Sequence, residues 1–193
     1  MFELDKIDTT FNYRIYQSPY LAENQATFIE SAKLAFSRFE FVFPKADSTW
    51  FYRYYNFFQL TAGSSDYHKL YVGLTKIVRD YVGTEEPLWL QCWMNFHTVA
   101  NVLKRHNHSF TVCNGYISID PKESQTVFDG YTIDNKVGQL YIGPDGIFHY
   151  VKVLEQYAGN RITIAFDVLD NLSYQQAIKK SGEIDFNTGY LPI

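Results

Sequence analysis

Gly138-Gln-Leu-Tyr-Ile-Gly-Pro-Asp-Gly-Ile-Phe-His149-Tyr-Val-Lys-Val153, followed after a polar stretch by Arg161-Ile-Thr163-Ile-Ala-Phe-Asp-Val168, is the part of the sequence that decides the fold. Short apolar runs alternate here with Gly-Pro-Asp-Gly and Gly-Asn breaks, which is the spacing of strands and turns. Outward from this stretch the same rhythm predicts strands at Leu88–Phe96, Phe110–Ile119, Gln125–Ile133, Gly138–Ile142, Phe148–Leu154 and Arg161–Val168. Short strands at regular intervals predict a sandwich or jelly roll. Phe148–Leu154 and Arg161–Val168, joined by Glu155–Asn160, read as a hairpin with Val153 opposite Arg161 and His149 opposite Ala165. That register leaves Arg161 about 13 Å along the strand from the level of His149.

Three of the five histidines lie between Arg105 and Phe166, in segments that read as strands. His106 and His108 are two apart, so in extended backbone both imidazoles project from one face. His149 arrives from a later strand. Neutral imidazole suits iron, zinc, copper or nickel, and an open three-ligand site is the form a catalytic metal takes. Arg161 can hold a carboxylate in a bidentate fork, with the Thr163 hydroxyl on the same oxygen.

On these residues the chain resembles the 2-oxoglutarate/Fe(II)-dependent dioxygenases, whose pattern is His-x-Asp/Glu, a distal His, and an Arg-x-Ser/Thr about a dozen residues on. Here that reads His106-Asn107-His108, His149 and Arg161-Ile-Thr163, with Leu90–Asn95 as the strand before the first ligand. The resemblance covers roughly residues 88–168. It implies a double-stranded β-helix braced by N-terminal helices, with Fe(II) on His106, His108 and His149. It also implies 2-oxoglutarate as cosubstrate, its far carboxylate on Arg161 and Thr163, and hydroxylation of a C–H bond in a peptide or small molecule. Asn95 matches an upstream cosubstrate position, and Tyr116 and Tyr141 sit on strands that line the expected pocket. One departure stands out: His108 occupies the place of the family's carboxylate. Either three imidazoles bind the metal, or His106 and His149 bind alone with His108 behind them, or catalysis has been lost. A cupin-like three-histidine dioxygenase without 2-oxoglutarate, and a non-enzymatic jelly-roll binding module, are the competing readings.

The first 86 residues read as a helical and aromatic support region within one 193-residue domain, and residues 171–193 as a tail. A helix is expected from Asn24, with Phe28, Ile29, Ala32, Ala35, Phe36 and Phe39 at helical spacing, broken by Pro44–Thr49. Trp50–Phe58 is the most aromatic run and reads as packed core, with a substrate wall or a homodimer surface as the other readings. A second helix is expected over Ser65–Val82, capped by Ser64 or Ser65 and ended by Gly83. His68 falls off its apolar stripe and reads as a surface residue. His97, at a strand end, reads as hydrogen-bonded rather than ligating. In the tail a helical turn at Tyr174–Lys179 precedes irregular chain.

A net charge of −4 argues against an electrostatic nucleic-acid binder. Cys92 and Cys113 form no motif and read as free buried thiols. Without a signal peptide or an 18-residue apolar run, the chain reads as soluble and cytoplasmic.

Overall fold

The computed structural model describes residues 1–42, 48, 56–101, 103–181 and 189–193, without the side chains of residues 40, 42 and 178–181. The aromatic run Trp50–Phe58 falls mostly outside them, as does most of the Pro44–Thr49 break. The architecture is mainly β. Two antiparallel sheets carry ten strands: β1 (Glu3–Asp8), β2 (Tyr13–Gln17), β3 (Leu88–His97), β4 (Cys113–Asp120), β5 (Ser124–Phe128), β6 (Tyr131–Asp134), β7 (Gln139–Gly143), β8 (His149–Val153), β9 (Arg161–Asp170) and β10 (Tyr190–Pro192). The larger sheet has the order β1-β2-β7-β4-β9-β3-β10, and the smaller one β6-β5-β8.

The helices are α1 (Pro19–Glu23), α2 (Gln25–Val42), α3 (Phe57–Leu60), α4 (Ser65–Val82) and α5 (Asn171–Ser181). Helix α4 has the expected bounds. The Ser64 hydroxyl accepts from the Tyr67 amide, and Gly83 ends the helix at φ +70, a left-handed position that favours glycine. Its buried face, Tyr67, Leu70, Leu74, Ile77 and Val78, joins Phe28, Ala32, Ala35, Phe36 and Phe39 of α2 in one cluster against the large sheet. Phe36 stacks on Phe96 of β3 at 4.4 Å between ring centres. His68 is exposed, and both cysteines are free and buried, as expected. None of the described helices is long and apolar enough to cross a membrane.

The two faces of the large sheet differ in chemistry because strand side chains alternate. On β9, Ile162, Ile164, Phe166 and Val168 join the cluster beneath the helices. Arg161, Thr163, Ala165 and Asp167 line a cavity on the other face, as do Gln91, Trp93, Asn95 and His97 of β3. Strands β3 and β9 are therefore buried on both faces, one dry and one polar.

Four expectations need correcting. Strand β8 does not form a hairpin with β9: it pairs with β5 in the small sheet, Phe128 opposite His149, while β9 lies between β4 and β3. The burial of β8 alternates along its length, whereas β9 is covered on both faces, and strands of such different burial belong in different layers. The connecting residues 154–160 cross from one sheet to the other. Gln125–Ile133 is not one strand: Asp129-Gly130 makes a two-residue turn, Gly130 at φ +104, between β5 and β6. Residues 1–23 contain the paired strands β1 and β2. The tail returns as β10 to pair with β3, after a helix longer than the single turn expected.

Candidate metal centre

Main-chain pairing assembles the site. The His106 amide donates to the His149 carbonyl at 3.0 Å and the His149 amide returns to the His106 carbonyl at 2.8 Å, so the segment carrying His106 adds to β8 as a further rung. This bridge puts the two rings side by side, 4.4 Å between centres. His108, two residues on, turns to the same face, its ring 5.3 Å from each of the others. The Gly146 amide donates to the His108 carbonyl at 2.8 Å and pins the segment. One nitrogen from each of the three rings lies within 4.8 Å of the other two.

Two of the imidazoles are held from behind by carbonyls. Nδ1 of His106 is 2.8 Å from the Lys104 carbonyl, and Nδ1 of His149 is 3.2 Å from the Ile147 carbonyl. A carbonyl only accepts, so both Nδ1 atoms carry the proton and both Nε2 lone pairs are free. Nδ1 of His108 lies 2.8 Å from Oδ1 of Asp167. Burial pushes His149 down to about 3, with the neighbouring His106 charge adding to it and the Ile147 hydrogen bond opposing. Burial also lowers His106, against the pull of its bond to Lys104. Neutral imidazoles with aligned, free nitrogens are what a divalent transition metal requires. Trp93 stacks on His108 at 5.7 Å, and Phe128 tilts over His149 at 5.1 Å, walling the cluster with rings.

Arg161 shares the cavity, which has a volume of about 600 Å³. Its guanidinium is buried, and its Nη2 donates to Nδ1 of His97 at 2.9 Å. Among the described residues no carboxylate pairs with it. Trp93, which carries His108, is opposite Ala165, and His97 is opposite Arg161. The rise between Ala165 and Arg161 is about 13 Å.

Thr163 and Asn95 are cross-strand partners. The Asn95 amide donates to the Thr163 hydroxyl at 3.3 Å, and its carbonyl accepts from the Ser48 hydroxyl at 2.6 Å. Tyr116 and Tyr141 both line the cavity, but their hydroxyls have protein partners: Tyr116 donates to Asn135 at 2.9 Å, and Tyr141 shares a proton with Tyr131 at 2.8 Å. His97 is the imidazole beneath Arg161 rather than a fourth member of the cluster. Asp167 was missed by the sequence reading. The inward alternation Arg161, Thr163, Ala165 is a signal that points to it as the next same-face residue.

No protein-family model matches the chain, and no curated protein matches it in sequence. In structure it is similar to the non-heme α-ketoglutarate-dependent epimerase SnoN of nogalamycin biosynthesis, with a TM-score of 0.55 over 82% of this chain and 78% of SnoN at 12% identity. That likeness shows a common fold. Shorter likenesses extend to a 2OG-Fe(II) oxygenase family oxidoreductase from Burkholderia pseudomallei, with a TM-score of 0.41 and 15% identity over 49% of this chain and 51% of that one. Salicylate 1,2-dioxygenase from Pseudoaminobacter salicylatoxidans matches with a TM-score of 0.34 and 12% identity over 47% of this chain. The chain spans 22% of that dioxygenase's length.

Proposed function

We propose that the chain is a jelly-roll, metal-dependent oxygenase that holds Fe(II) on His106, His108 and His149 and uses 2-oxoglutarate as cosubstrate. The observation that carries this reading is one cavity holding three converging imidazoles and a buried guanidinium that pairs with no carboxylate among the described residues. A buried charge without a counter-charge is costly, and an acid entering the cavity relieves that cost. Arg161 would grip the far carboxylate of a five-carbon oxoacid in a two-point fork, with Thr163 and Asn95 beside it.

When bound, the iron supplies the dioxygen chemistry that side chains lack. The chain's own work is to bind, orient and exclude. The Lys104 and Ile147 carbonyls fix two imidazoles with Nε2 presented, Trp93, Phe128 and Tyr141 keep water from the reacting face, and Arg161 sets the direction of the oxoacid. A cavity of about 600 Å³ falls within the usual range of small-molecule sites and has room for a second small molecule beside the oxoacid. We therefore favour a small-molecule substrate over a peptide.

The absence of a carboxylate from the ligand cluster supports one other reading, a three-histidine dioxygenase in which Arg161 binds the carboxylate of the substrate itself. Titrating 2-oxoglutarate anaerobically into Fe(II)-loaded protein separates the two. A saturable change in the visible spectrum, absent in Arg161→Ala, supports the oxoacid. No change at millimolar oxoacid, with metal bound, overturns it.

A further inference from the structure

Asp167 belongs to neither the three imidazoles nor the Arg161 end of the cavity, and its surroundings are unusual. Its side chain and that of His108 are both largely covered, 16% and 13% exposed, with 2.8 Å between Oδ1 and Nδ1. Oδ1 is sealed from solvent and accepts no aligned hydrogen bond. The contact therefore has the distance of a hydrogen bond without its alignment. The residues opposite Asp167 on the flanking strands are Gln91 and Asn114, both neutral amides and both lining the cavity. The Asn114 amide is engaged by the Pro144 carbonyl at 3.0 Å. Among the described residues no lysine or arginine pairs with Asp167.

A covered carboxylate with no cation beside it is held at a cost unless a positive charge lies close by. Here the nearest candidate is a cation carried on the far side of His108. We propose that Asp167 is a positioning residue for the metal centre: it holds His108 in the Nδ1–H tautomer and supplies, one residue behind the ligand, the negative charge that the ligand set lacks. A carboxylate behind an imidazole raises its basicity and fixes its ring, so three neutral ligands with one acid behind them approach the charge balance of two imidazoles and a carboxylate. The assignment rests on the metal reading of the three histidines and deepens it.

The test uses Co(II) alone as the probe, titrated calorimetrically under anaerobic conditions into wild type, His149→Ala, Asp167→Asn and Asp167→Glu. Nitrogen-15 spectra of the metal-free proteins report the His108 tautomer. The expected result is a 10- to 100-fold weaker affinity in Asp167→Asn. Partial recovery in Asp167→Glu and a shift of His108 away from Nδ1–H in the asparagine variant complete it. Unchanged Co(II) affinity in Asp167→Asn, with binding lost in His149→Ala, overturns the role of Asp167 and leaves the metal site standing. Unchanged affinity in His149→Ala overturns the metal reading itself. Should Asp167→Asn fail to fold, the wild-type tautomer decides: Nδ1–H on His108 supports the assignment, and Nε2–H overturns it.

Discussion

Arg161 donates to the Nδ1 of His97 at 2.9 Å, so the guanidinium inside the cavity rests on an imidazole and not on an acid. The two residues are cross-strand partners on β9 and β3. As the acceptor, His97 keeps its own proton on Nε2 and leaves the guanidinium fully charged toward the cavity.

Arg161→Ala is expected to weaken binding of the acid that occupies the cavity by at least about 30-fold, which corresponds to about 2 kcal/mol for a lost charge-assisted contact. Metal affinity should change much less. Calorimetry with 2-oxoglutarate on metal-loaded protein measures the first and Co(II) titration of the metal-free protein the second, and an unaltered dissociation constant for the acid would contradict the role.

His149→Ala removes the ring that the His106 bridge holds in register. Metal stoichiometry should fall to near zero while the far-ultraviolet spectrum is retained, because the bridge is made by main-chain atoms. Iron bound one-to-one in this variant rules the site out.

His108→Asp installs the acid usual in the dioxygenases that the sequence resembles, but next to Asp167. Two carboxylates at that range resist joint ionisation. The single variant is expected to bind metal more weakly than wild type, and the double variant His108→Asp with Asp167→Asn to recover affinity. Equal affinities of the single and double variants would show that the two positions are uncoupled.

Metal-free protein should lose stability as pH falls below about 6.5. His149 is neutral in the fold down to about 3 because burial opposes its charge, whereas the unfolded chain takes up that proton near 6.5. The unfolded state thus binds more protons in this window, and stability declines by at most about 1.4 kcal/mol per pH unit from this residue. Urea unfolding at pH 7 and pH 5 checks this. The decline should flatten in His149→Asn.

Gly143→Ala probes the wall. A Cβ there would collide with the Tyr141 hydroxyl, two residues back on the same face. Breaking the contact between Tyr141 and Tyr131 should cost about 1–3 kcal/mol, read as a shift of the urea midpoint. An unchanged midpoint would mean that Tyr141 has room to move.

Much of the fold could be read from the chain because several signals agreed. The stripe, cap and left-handed glycine of α4 all point one way, and the strands β3, β4, β7, β8 and β9 are short apolar runs between glycine and proline breaks. The edge strand β1, Glu-Leu-Asp-Lys-Ile-Asp, carries charges on an exposed edge and has no apolar face to betray it. The pairing of β8 could not be read either. Proximity along the chain favours a hairpin with β9, and the long-range pairing with β5 decides otherwise. That His106 and His108 share a face was legible because spacing by two sets a face whatever the partner strand, whereas His149 was joined to them by the resemblance, since the hairpin expected of its strand does not form. Asp167 continues the inward alternation of β9, but its role could not be read, since a lone acid in an apolar run reads as an exception until its neighbour His108 across space is known.

The main-chain bridge between residues 106 and 149 has a consequence for how such a centre can be altered. The spacing of the first and third ligand positions along the backbone is a property of two peptide groups, whatever the side chains are. Exchanging a ring for a carboxylate or an amide changes the reach and chemistry of the donor, and so which cation is preferred, while the two backbone anchors stay where they are. The scaffold is thus a socket of constant gauge, into which different donor chemistries can be fitted one position at a time.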